Sequence, residues 1–174
     1  HGIETERVEH PPVMTVEESE RLVPPLPGAK TKNLFLRDKK GARHFLVTVP
    51  RDLVVDLDAL GTTIGAGRLG FASADRLQRH LGVAPGSVSL LALVHDREHA
   101  VEFVIDRRLW NADAVHAHPL VNTATLVVAH EALEHRVSPD ALVVAVRRIE
   151  DASLALLAHP GPRFGAALVD AFHQ

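Results

Sequence analysis

The chain alternates short apolar runs with turns rich in Gly, Pro and Asp, a pattern typical of a domain that mixes strands with helices. Apolar runs at Leu34–Leu36 and Phe45–Val49 flank a charged turn that contains Gly41, which predicts a β-hairpin. A second hairpin is predicted for Val88–Val94 and Val101–Ile105, because charged residues separate these two apolar runs. The pattern therefore predicts at least one antiparallel sheet.

Capping signals predict several short helices between these strands, and Thr123–Val128 is a further predicted strand because it is rich in β-branched residues. Strands separated by short helices indicate one α/β domain of the mixed α+β class. One predicted helix starts at Thr15 and ends before Pro24, a second runs from Ser73 to Leu81 with Gly82 just beyond, and a third covers Gly165–Phe172. Asp56–Leu60 is predicted to be a short helix or a turn.

Composition narrows the class of protein. The 174 residues, 46% of them hydrophobic and 24% charged, are enough for one well-buried core. No apolar run approaches the ~20 residues of a membrane-spanning helix, and the start of the chain has no signal-peptide pattern. The absence of cysteine excludes disulfides, thiolate metal sites and a cysteine nucleophile. We therefore expect a cytosolic protein.

Basic residues are concentrated in one segment, although the formal net charge of the whole chain is −3. The segment between Gly28 and His44 contains a single acidic residue, Asp38. Such a segment is either a solvated hairpin tip or a surface that contacts the phosphates of a nucleic acid. In the second interpretation, the residues that contact the nucleic acid are Lys30, Lys39, Lys40 and Arg43.

Two distant segments place polar side chains beside buried apolar runs, where Leu or Val would pack more favourably. Lys32 and Asn33 precede the first run, and His118 and Asn122 surround Pro119 to Val121. Strand edges hold polar groups at fixed distances, so these four residues are candidates for binding or chemistry.

The sequence gives no support for dinucleotide binding, metal binding or a serine nucleophile. Gly65–Gly70 matches the dinucleotide-binding fingerprint but lacks the preceding strand and the following helix that the fingerprint requires. His130 and His135 are five residues apart, which is about 140° around a helix and too far for a shared metal. No serine lies in a nucleophile elbow. These observations favour chemistry without a metal or a covalent intermediate.

The loop before Leu90 is turn-rich and has two interpretations. It is either a plain helix-to-strand connection or a loop whose N–H groups at Gly86 and Ser87 face a carbonyl oxygen, since glycine permits close approach of the backbone.

Several segments, in one order, resemble the YbaK-like aminoacyl-tRNA editing superfamily. They are TKNLFLRDKKG from Thr31, GRLGFAS from Gly67, GVAPGSV from Gly82 and HPLVNTAT from His118. The resemblance extends from about Val8 to Thr125, and within the superfamily it is strongest to the free-standing prolyl-tRNA editing proteins of the ProXp-ala type.

The resemblance implies a single YbaK-like domain, in which a mixed β-sheet or partial barrel is flanked by helices. Residues 1–128 would form the deacylase core, and residues 129–174 a C-terminal extension of the same domain that is atypical of the family. It also implies hydrolysis of Ala-tRNA(Pro) by water, with no metal and no other cofactor. The implied partners are the acceptor end of tRNA(Pro) and, as a candidate, prolyl-tRNA synthetase.

The resemblance also implies the site residues. Lys32, Asn33 and His118 fall on the catalytic positions. The family's substrate loop falls on Gly86 to Leu90, where this chain has Leu90 in place of the usual proline. We expect Lys32 near a phosphate of the tRNA 3′ end and His118 as an orienting group rather than a base. The expected substrate-binding residues are Thr31, Gly86, Ser87 and Asn122.

Selectivity is expected to follow from size, because a pocket too small for the pyrrolidine ring excludes proline, whereas contacts alone discriminate weakly. The expected apolar walls are Val47, Leu91 and Leu93. Two alternatives remain open: a deacylase of the same fold that removes Cys, Ser or Thr from a mischarged tRNA, and a non-catalytic module that binds the tRNA acceptor end.

Overall fold

The computed structural model describes residues 6–12, 18, 21–121, 123–133, 142–144, 146, 156–160 and 167–171, and these form two sheets with short helices. The smaller sheet is antiparallel, in the order β1-β7-β6, and the larger one is mixed, in the order β4-β2-β3-β5-β8-β10-β9. The strands are β1 (Glu6–Glu9), β2 (Thr31–Asp38), β3 (His44–Pro50), β4 (Leu69–Phe71), β5 (Val101–Asp106), β6 (Ala114–Ala117), β7 (Ala124–Ala129), β8 (Leu142–Val144), β9 (Leu156–Pro160) and β10 (Ala167–Ala171).

The predicted class, a single mixed α/β domain, is confirmed. The two sheets are not closed into a barrel, so the architecture is two packed sheets rather than a closed cylinder. The predicted helix at Gly165–Phe172 is wrong, because Ala167–Ala171 forms a strand that pairs antiparallel with β9. The predicted helix from Thr15 lies largely outside the described residues.

The first predicted hairpin is confirmed and is longer than predicted. β2 and β3 pair from Thr31 opposite Pro50 to Arg37 opposite His44. Gly41 lies in the turn with φ 69°, a conformation that L-residues other than glycine rarely adopt. Alternation along both strands places one set of side chains on each face of the sheet.

Local capping explains the helices. Asp56 accepts hydrogen bonds from the N–H groups of Asp58 and Ala59 at the start of α1 (Leu57–Thr63). Ser73 caps α2 (Ala74–Leu81) in the same way, and Gly82 ends it in the left-handed conformation. The helices α3 (Arg107–Trp110) and α4 (His130–Ala132) are single turns.

The second predicted hairpin is wrong. Leu90–His95 forms a 3₁₀ helix instead of a strand, with Ser89 as its N-cap. The strand that follows, β5, forms as predicted but pairs in parallel with β3. A short apolar run of leucines is compatible with a buried helix or a buried strand, and here packing against the core decides.

Two apolar clusters lie on opposite faces of the large sheet. Phe35 and Leu46 contribute to the first cluster, which packs against the small sheet, α2 and the 3₁₀ helix. Leu36 and Val47, their neighbours along the strands, contribute to the second cluster, which packs against α1. This alternation fixes which side chains of β2 face the small sheet. None of the described helices is long and apolar enough to cross a membrane.

A buried histidine joins α2 to β3. Arg76 donates a hydrogen bond to His44 Nε2 at 2.7 Å, so this nitrogen carries the lone pair of a neutral ring. The His44 and His80 rings are 4.2 Å apart, and Phe35 stacks on His44. The pKa of His44 is lowered by burial first and then by His80 and Arg76. Packing of α2 therefore involves an uncharged His44.

Asp106 is a fully buried carboxylate that links β5 to the chain beyond α4. It accepts hydrogen bonds from the Arg108 Nε at 2.9 Å and from the N–H of Val146 at 2.9 Å. A paired buried charge is tolerated, whereas removing one partner leaves the other uncompensated.

We expect Asp106→Ala to lower the free energy of unfolding by about 1–3 kcal/mol, because the buried Val146 N–H loses its acceptor, whereas the half-exposed Arg108 can turn to water. Urea unfolding followed by circular dichroism measures this loss. Glu98→Ala, at an exposed turn position, is the matched control and should change the free energy by less than about 0.5 kcal/mol. Equal stability of the two variants would contradict the anchoring role of Asp106.

Candidate functional site: a cleft where the two sheets meet

A small cleft lies where the start of β2, the end of β3 and the end of β6 come together. Its volume is about 270 Å³, slightly below the ~300–1,000 Å³ of typical small-molecule sites. Part of its lining is apolar and stiff, because two adjacent prolines contribute to it. The lining residues are Val23, Pro24, Pro25, Leu26, Lys30, Thr31, Arg51, His116, Ala117, His118 and Thr125.

Backbone hydrogen bonds hold the segment before β2 against β6, beside this cleft. The Ala29 N–H donates to the Ala114 carbonyl at 2.8 Å, and the His116 N–H donates to the Ala29 carbonyl at 2.9 Å. Gly28 has φ 99°, and a Cβ there would lie 2.8 Å from the Ala114 oxygen. Only glycine permits this close approach. Thr31 adds a hydrogen bond from its hydroxyl to the His116 carbonyl at 2.7 Å.

His118 lines the cleft as a neutral ring with a defined tautomer. Its Nδ1 lies 3.3 Å from the Ala124 carbonyl oxygen. A carbonyl only accepts, so Nδ1 carries the hydrogen and Nε2 holds the lone pair. Burial is the main cause that lowers the pKa of His118; the bond to Ala124 opposes it, while His10, Arg51 and His116 lower it further. His118 therefore offers a hydrogen-bond acceptor at neutral pH.

The predicted substrate loop reaches His118 through a residue that the sequence pattern did not indicate. The Ser89 hydroxyl, fully buried, donates to the His118 carbonyl at 2.6 Å. Gly86 is exposed with φ 88°, and Ser87 is half-buried; neither lines the cleft. Their predicted role as substrate-binding residues stays a prediction, while Ser89 ties their loop to the site.

Thr125 presents its hydroxyl to the cleft as an oriented group. It lies 3.0 Å from His10 Nε2, and His10 Nδ1 lies 2.9 Å from the Pro11 carbonyl. Because the carbonyl requires a hydrogen on Nδ1, the tautomer of His10 with its single hydrogen there accepts the hydrogen of Thr125 at Nε2. The oxygen of Thr125 then keeps its lone pairs for another donor. Both residues are buried.

The structure separates Lys32 from Asn33. Strand alternation puts Asn33 on the same face as Thr31, towards the first cluster, and puts Lys32 on the opposite face with Leu34. Asn33 Oδ1 accepts from the Thr48 hydroxyl at 2.7 Å, which leaves the two amide N–H donors of Asn33 for other partners. Neither residue is among those that line the cleft. Asn122, the fourth polar candidate, lies outside the described residues.

The basic hairpin lies far from the cleft. β2 is eight residues long, so Lys39 and Lys40 lie about 23 Å along the strand from Thr31. Both are exposed. Arg43 makes two hydrogen bonds of 2.7 Å to the Glu102 carboxylate, which raise its pKa. Of the predicted tRNA-binding residues, only Lys30 lies at the cleft.

None of the three residues expected as apolar walls lines this cleft. Val47 is fully buried in the second cluster, on the face away from the cleft. Leu91 and Leu93 pack against the first cluster and do not line the cleft. The prolines at 24 and 25, from the segment before β2, are among the apolar residues that do line it.

Five residues at or beside the cleft were not singled out by the sequence pattern: His10, Arg51, Ser89, His116 and Thr125. The sequence could have identified Thr125, since it is the last residue of the HPLVNTAT segment. His10 carries no local signal, because its contact to Thr125 spans 115 positions of sequence. Among the described residues, no three His, Asp or Glu side chains converge in a way that could hold a metal ion.

A protein-family model described as an aminoacyl-tRNA editing domain matches residues 10–135 of this chain. The chain belongs to this family. The match includes the cleft residues from His10 to Thr125, and it leaves residues 136–174 outside. The family expected from the sequence motifs is therefore confirmed, while the boundary of a C-terminal extension at residue 129 stays a prediction.

Two similar proteins have names that fit this family. The chain is 42% identical over 127 residues to the prolyl-tRNA editing protein ProX of Acetoanaerobium sticklandii, covering 73% of this chain and 77% of that protein. It is 44% identical over 127 residues to prolyl-tRNA synthetase associated domain-containing protein 1 of Danio rerio, covering 72% and 68%. These two similarities place the chain in the prolyl-tRNA branch of the family.

Solved structures show the same fold. A crystal structure described as a candidate trans-editing enzyme for prolyl-tRNA synthetase superposes with a TM-score of 0.65 at 21% identity, covering 83% of this chain and 87% of that one. The hypothetical protein APE2540 superposes with a TM-score of 0.67 at 22% identity, covering 83% and 92%.

Leu90 occupies the position where the resemblance implies proline, and the backbone there suits proline. It is the first residue of the 3₁₀ helix, and the preceding Ser89 is extended at φ −136° and ψ 150°. Proline fits the first helical position and requires an extended residue before it. The Leu90 side chain is fully buried in the first cluster, away from the cleft lining.

We expect Leu90→Pro to fold with the same loop geometry and to lose about 1–3 kcal/mol of stability, because core volume is lost. Leu91→Pro is the matched control. It removes the Leu91 N–H that donates to Ser89 Oγ and forces residue 90 out of the helical region, so it should be far less stable. Urea unfolding compares the two variants. A Leu90→Pro variant as unstable as Leu91→Pro would contradict this account.

Proposed function

We propose that this chain is an aminoacyl-tRNA deacylase that acts in trans on mischarged Ala-tRNA(Pro). The amino acids removed would be those that prolyl-tRNA synthetase attaches in error, and we place the reaction in the cytosol. The family match and the names of the prolyl-tRNA relatives support the proposal. The small size of the cleft and its neutral histidine support it on physical grounds.

The observation that carries the proposal is the state of His118. Its side chain is half-buried, its Nδ1 hydrogen bonds to the Ala124 carbonyl, and its pKa is lowered, mainly by the partial loss of contact with water. An imidazole in this state accepts a hydrogen bond from water at neutral pH. An aminoacyl ester is already an activated acyl group, so a positioned water is the main requirement.

The proposed reaction needs no covalent intermediate. Water, hydrogen-bonded to His118 Nε2, adds its oxygen to the ester carbonyl carbon and gives a tetrahedral oxyanion. The bond from this carbon to the ribose oxygen then breaks, and the proton that the water loses passes to the ribose oxygen. The products are the free amino acid and a tRNA with an intact terminal hydroxyl. His118 orients the water throughout.

Other groups hold the ester in place. Thr125, locked as an acceptor by His10, suits the ammonium group of the amino acid or a ribose hydroxyl. Asn33 lies on the same face of β2 as Thr31, beyond the residues that line the cleft; a substrate that reaches it would place the developing oxyanion near its two amide donors, and hydrogen bonds to a charged acceptor are the stronger ones. The proline pair at 24 and 25 supplies a stiff wall that admits alanine and excludes the larger proline ring.

The test is deacylation of a panel of charged tRNAs under single-turnover conditions. We expect hydrolysis of Ala-tRNA(Pro) and at least a tenfold slower reaction with cognate Pro-tRNA(Pro). His118→Asn keeps a donor towards Ala124 and removes the acceptor at Nε2, so it should lower kcat/KM about tenfold or more. His99→Asn, on an exposed turn, is the control and should leave the rate unchanged.

The pH profile and the panel separate the alternatives. Because partial burial lowers the pKa of His118 from its ordinary value of 6.5, protonation of the ring should slow the reaction only at pH values below 6.5. Faster hydrolysis of Cys-, Ser- or Thr-tRNA would indicate another deacylase. Tight tRNA binding with no hydrolysis of any ester would indicate a binding module and would overturn the proposal.

Lys32 remains a proposed catalytic position that rests on the resemblance. We expect Lys32→Met to lower kcat/KM at least tenfold, because the ammonium group would contact a phosphate of the tRNA 3′ end. Methionine keeps the apolar stem on the face of the second cluster. Lys39→Met, on the exposed hairpin tip, is the control. Unchanged turnover of Lys32→Met would show that strand alternation keeps this residue out of the site.

A further inference from the structure

A second groove continues from the cleft along the same edge of the structure. It is lined by Ala29, Lys30, Pro50, Arg51, Asp52, Arg108 and Leu109, and its volume is about 500 Å³. Lys30 and Arg51 line both the groove and the cleft. We call this surface the basic groove. Its floor includes the apolar side chains at 29, 50 and 109, and its charged side chains are predominantly cationic.

The backbone holds its two main cations side by side. The Arg51 N–H donates to the Lys30 carbonyl at 3.1 Å, which fixes the end of β3 against the start of β2. Arg108 contributes less charge, because its guanidinium is paired with Asp106, although 46% of its side chain is exposed. Asp52 offsets part of the charge. Lys30 and Arg51 therefore dominate the potential at the junction of groove and cleft.

We infer that the basic groove binds the phosphodiester backbone of the single-stranded 3′ end of tRNA as it leaves the cleft. The inference rests on the proposed function in taking a tRNA-borne ester as the ligand. The ester and the adjacent phosphates belong to one strand, so the first phosphates lie beside the cleft. Arg and Lys at that position neutralise phosphate charge, and the apolar floor accommodates ribose and base surfaces.

Position, rather than charge alone, favours the basic groove over the hairpin tip. Lys39 and Lys40 also form an exposed cationic pair, but they lie about 23 Å along β2 from the cleft. The groove shares two of its residues with the cleft itself. Phosphates next to the ester therefore reach Lys30 and Arg51 first.

Two variants with the same change in net charge test this path. Lys30→Gln with Arg51→Gln removes both cations at the junction, and Lys39→Gln with Lys40→Gln removes both at the hairpin tip. Binding of fluorescently labelled, uncharged tRNA(Pro) is measured by anisotropy at several KCl concentrations. Thermal unfolding of each variant confirms that both fold as the wild type does.

We expect the groove variant to bind tRNA about a hundredfold more weakly, because it loses two contacts to phosphates and each contributes about tenfold to the affinity. The slope of log K against log salt concentration should become shallower by about 1.4, since each single-stranded phosphate contact contributes about 0.7. The hairpin variant should bind within threefold of the wild type. An equal or larger loss in the hairpin variant would overturn the inference.

A substrate without upstream phosphates separates phosphate binding from an effect on His118, whose pKa Arg51 also influences. The groove variant should lose a clearly smaller factor in kcat/KM on 3′-O-alanyl adenosine than on Ala-tRNA(Pro), because only the tRNA carries the upstream phosphates. Equal losses on both substrates would overturn the inference. If the wild type hydrolyses neither ester while its tRNA binding still depends on Lys30 and Arg51, the proposed function fails and the groove stands.

Discussion

The hydrogen bonds that join the segment before β2 to β6 are the constraint on which the site depends. They connect the large sheet to the small one, and the cleft lies at that connection. Gly28 makes the approach possible, because any side chain there would meet the Ala114 carbonyl. Thr31 strengthens the same junction through the His116 carbonyl. The cleft is thus a consequence of how two sheets are joined, and its geometry is as rigid as that joint.

Polar groups around the cleft have hydrogen-bond partners within the protein, and these hydrogen bonds orient the groups that face a ligand. Ser89 uses its hydrogen on the His118 carbonyl, and Thr125 uses its hydrogen on His10. His118 uses its Nδ1 hydrogen on Ala124. What remains is a set of acceptors with fixed directions. Such a set costs little reorganisation when a water or an ammonium group binds, which is the physical advantage of preorganisation.

The cations that lie together in the folded protein differ from those that lie together in the sequence. The sequence indicates that the hairpin is the nucleic-acid surface, because six cations lie close together along the chain between Gly28 and His44. The fold spreads them along a strand about 23 Å long and pairs Arg43 with Glu102. It then brings Arg51, from the end of the next strand, beside Lys30. Proximity in sequence therefore gives a poor account of which cations act together at the cleft.

Local features were predictable from the sequence alone: the β2–β3 hairpin around Gly41, the helix between Ser73 and Gly82, and the family from its ordered motifs. These depend on turn chemistry, capping and short-range pattern, which a few neighbouring residues determine. The conformation of Leu90–His95, the parallel pairing of β5, the opposite faces of Lys32 and Asn33, and the contact of His10 with Thr125 were decided by tertiary structure. Each depends on which surfaces meet across long stretches of chain, and that choice follows from burial of the whole core rather than from any local preference.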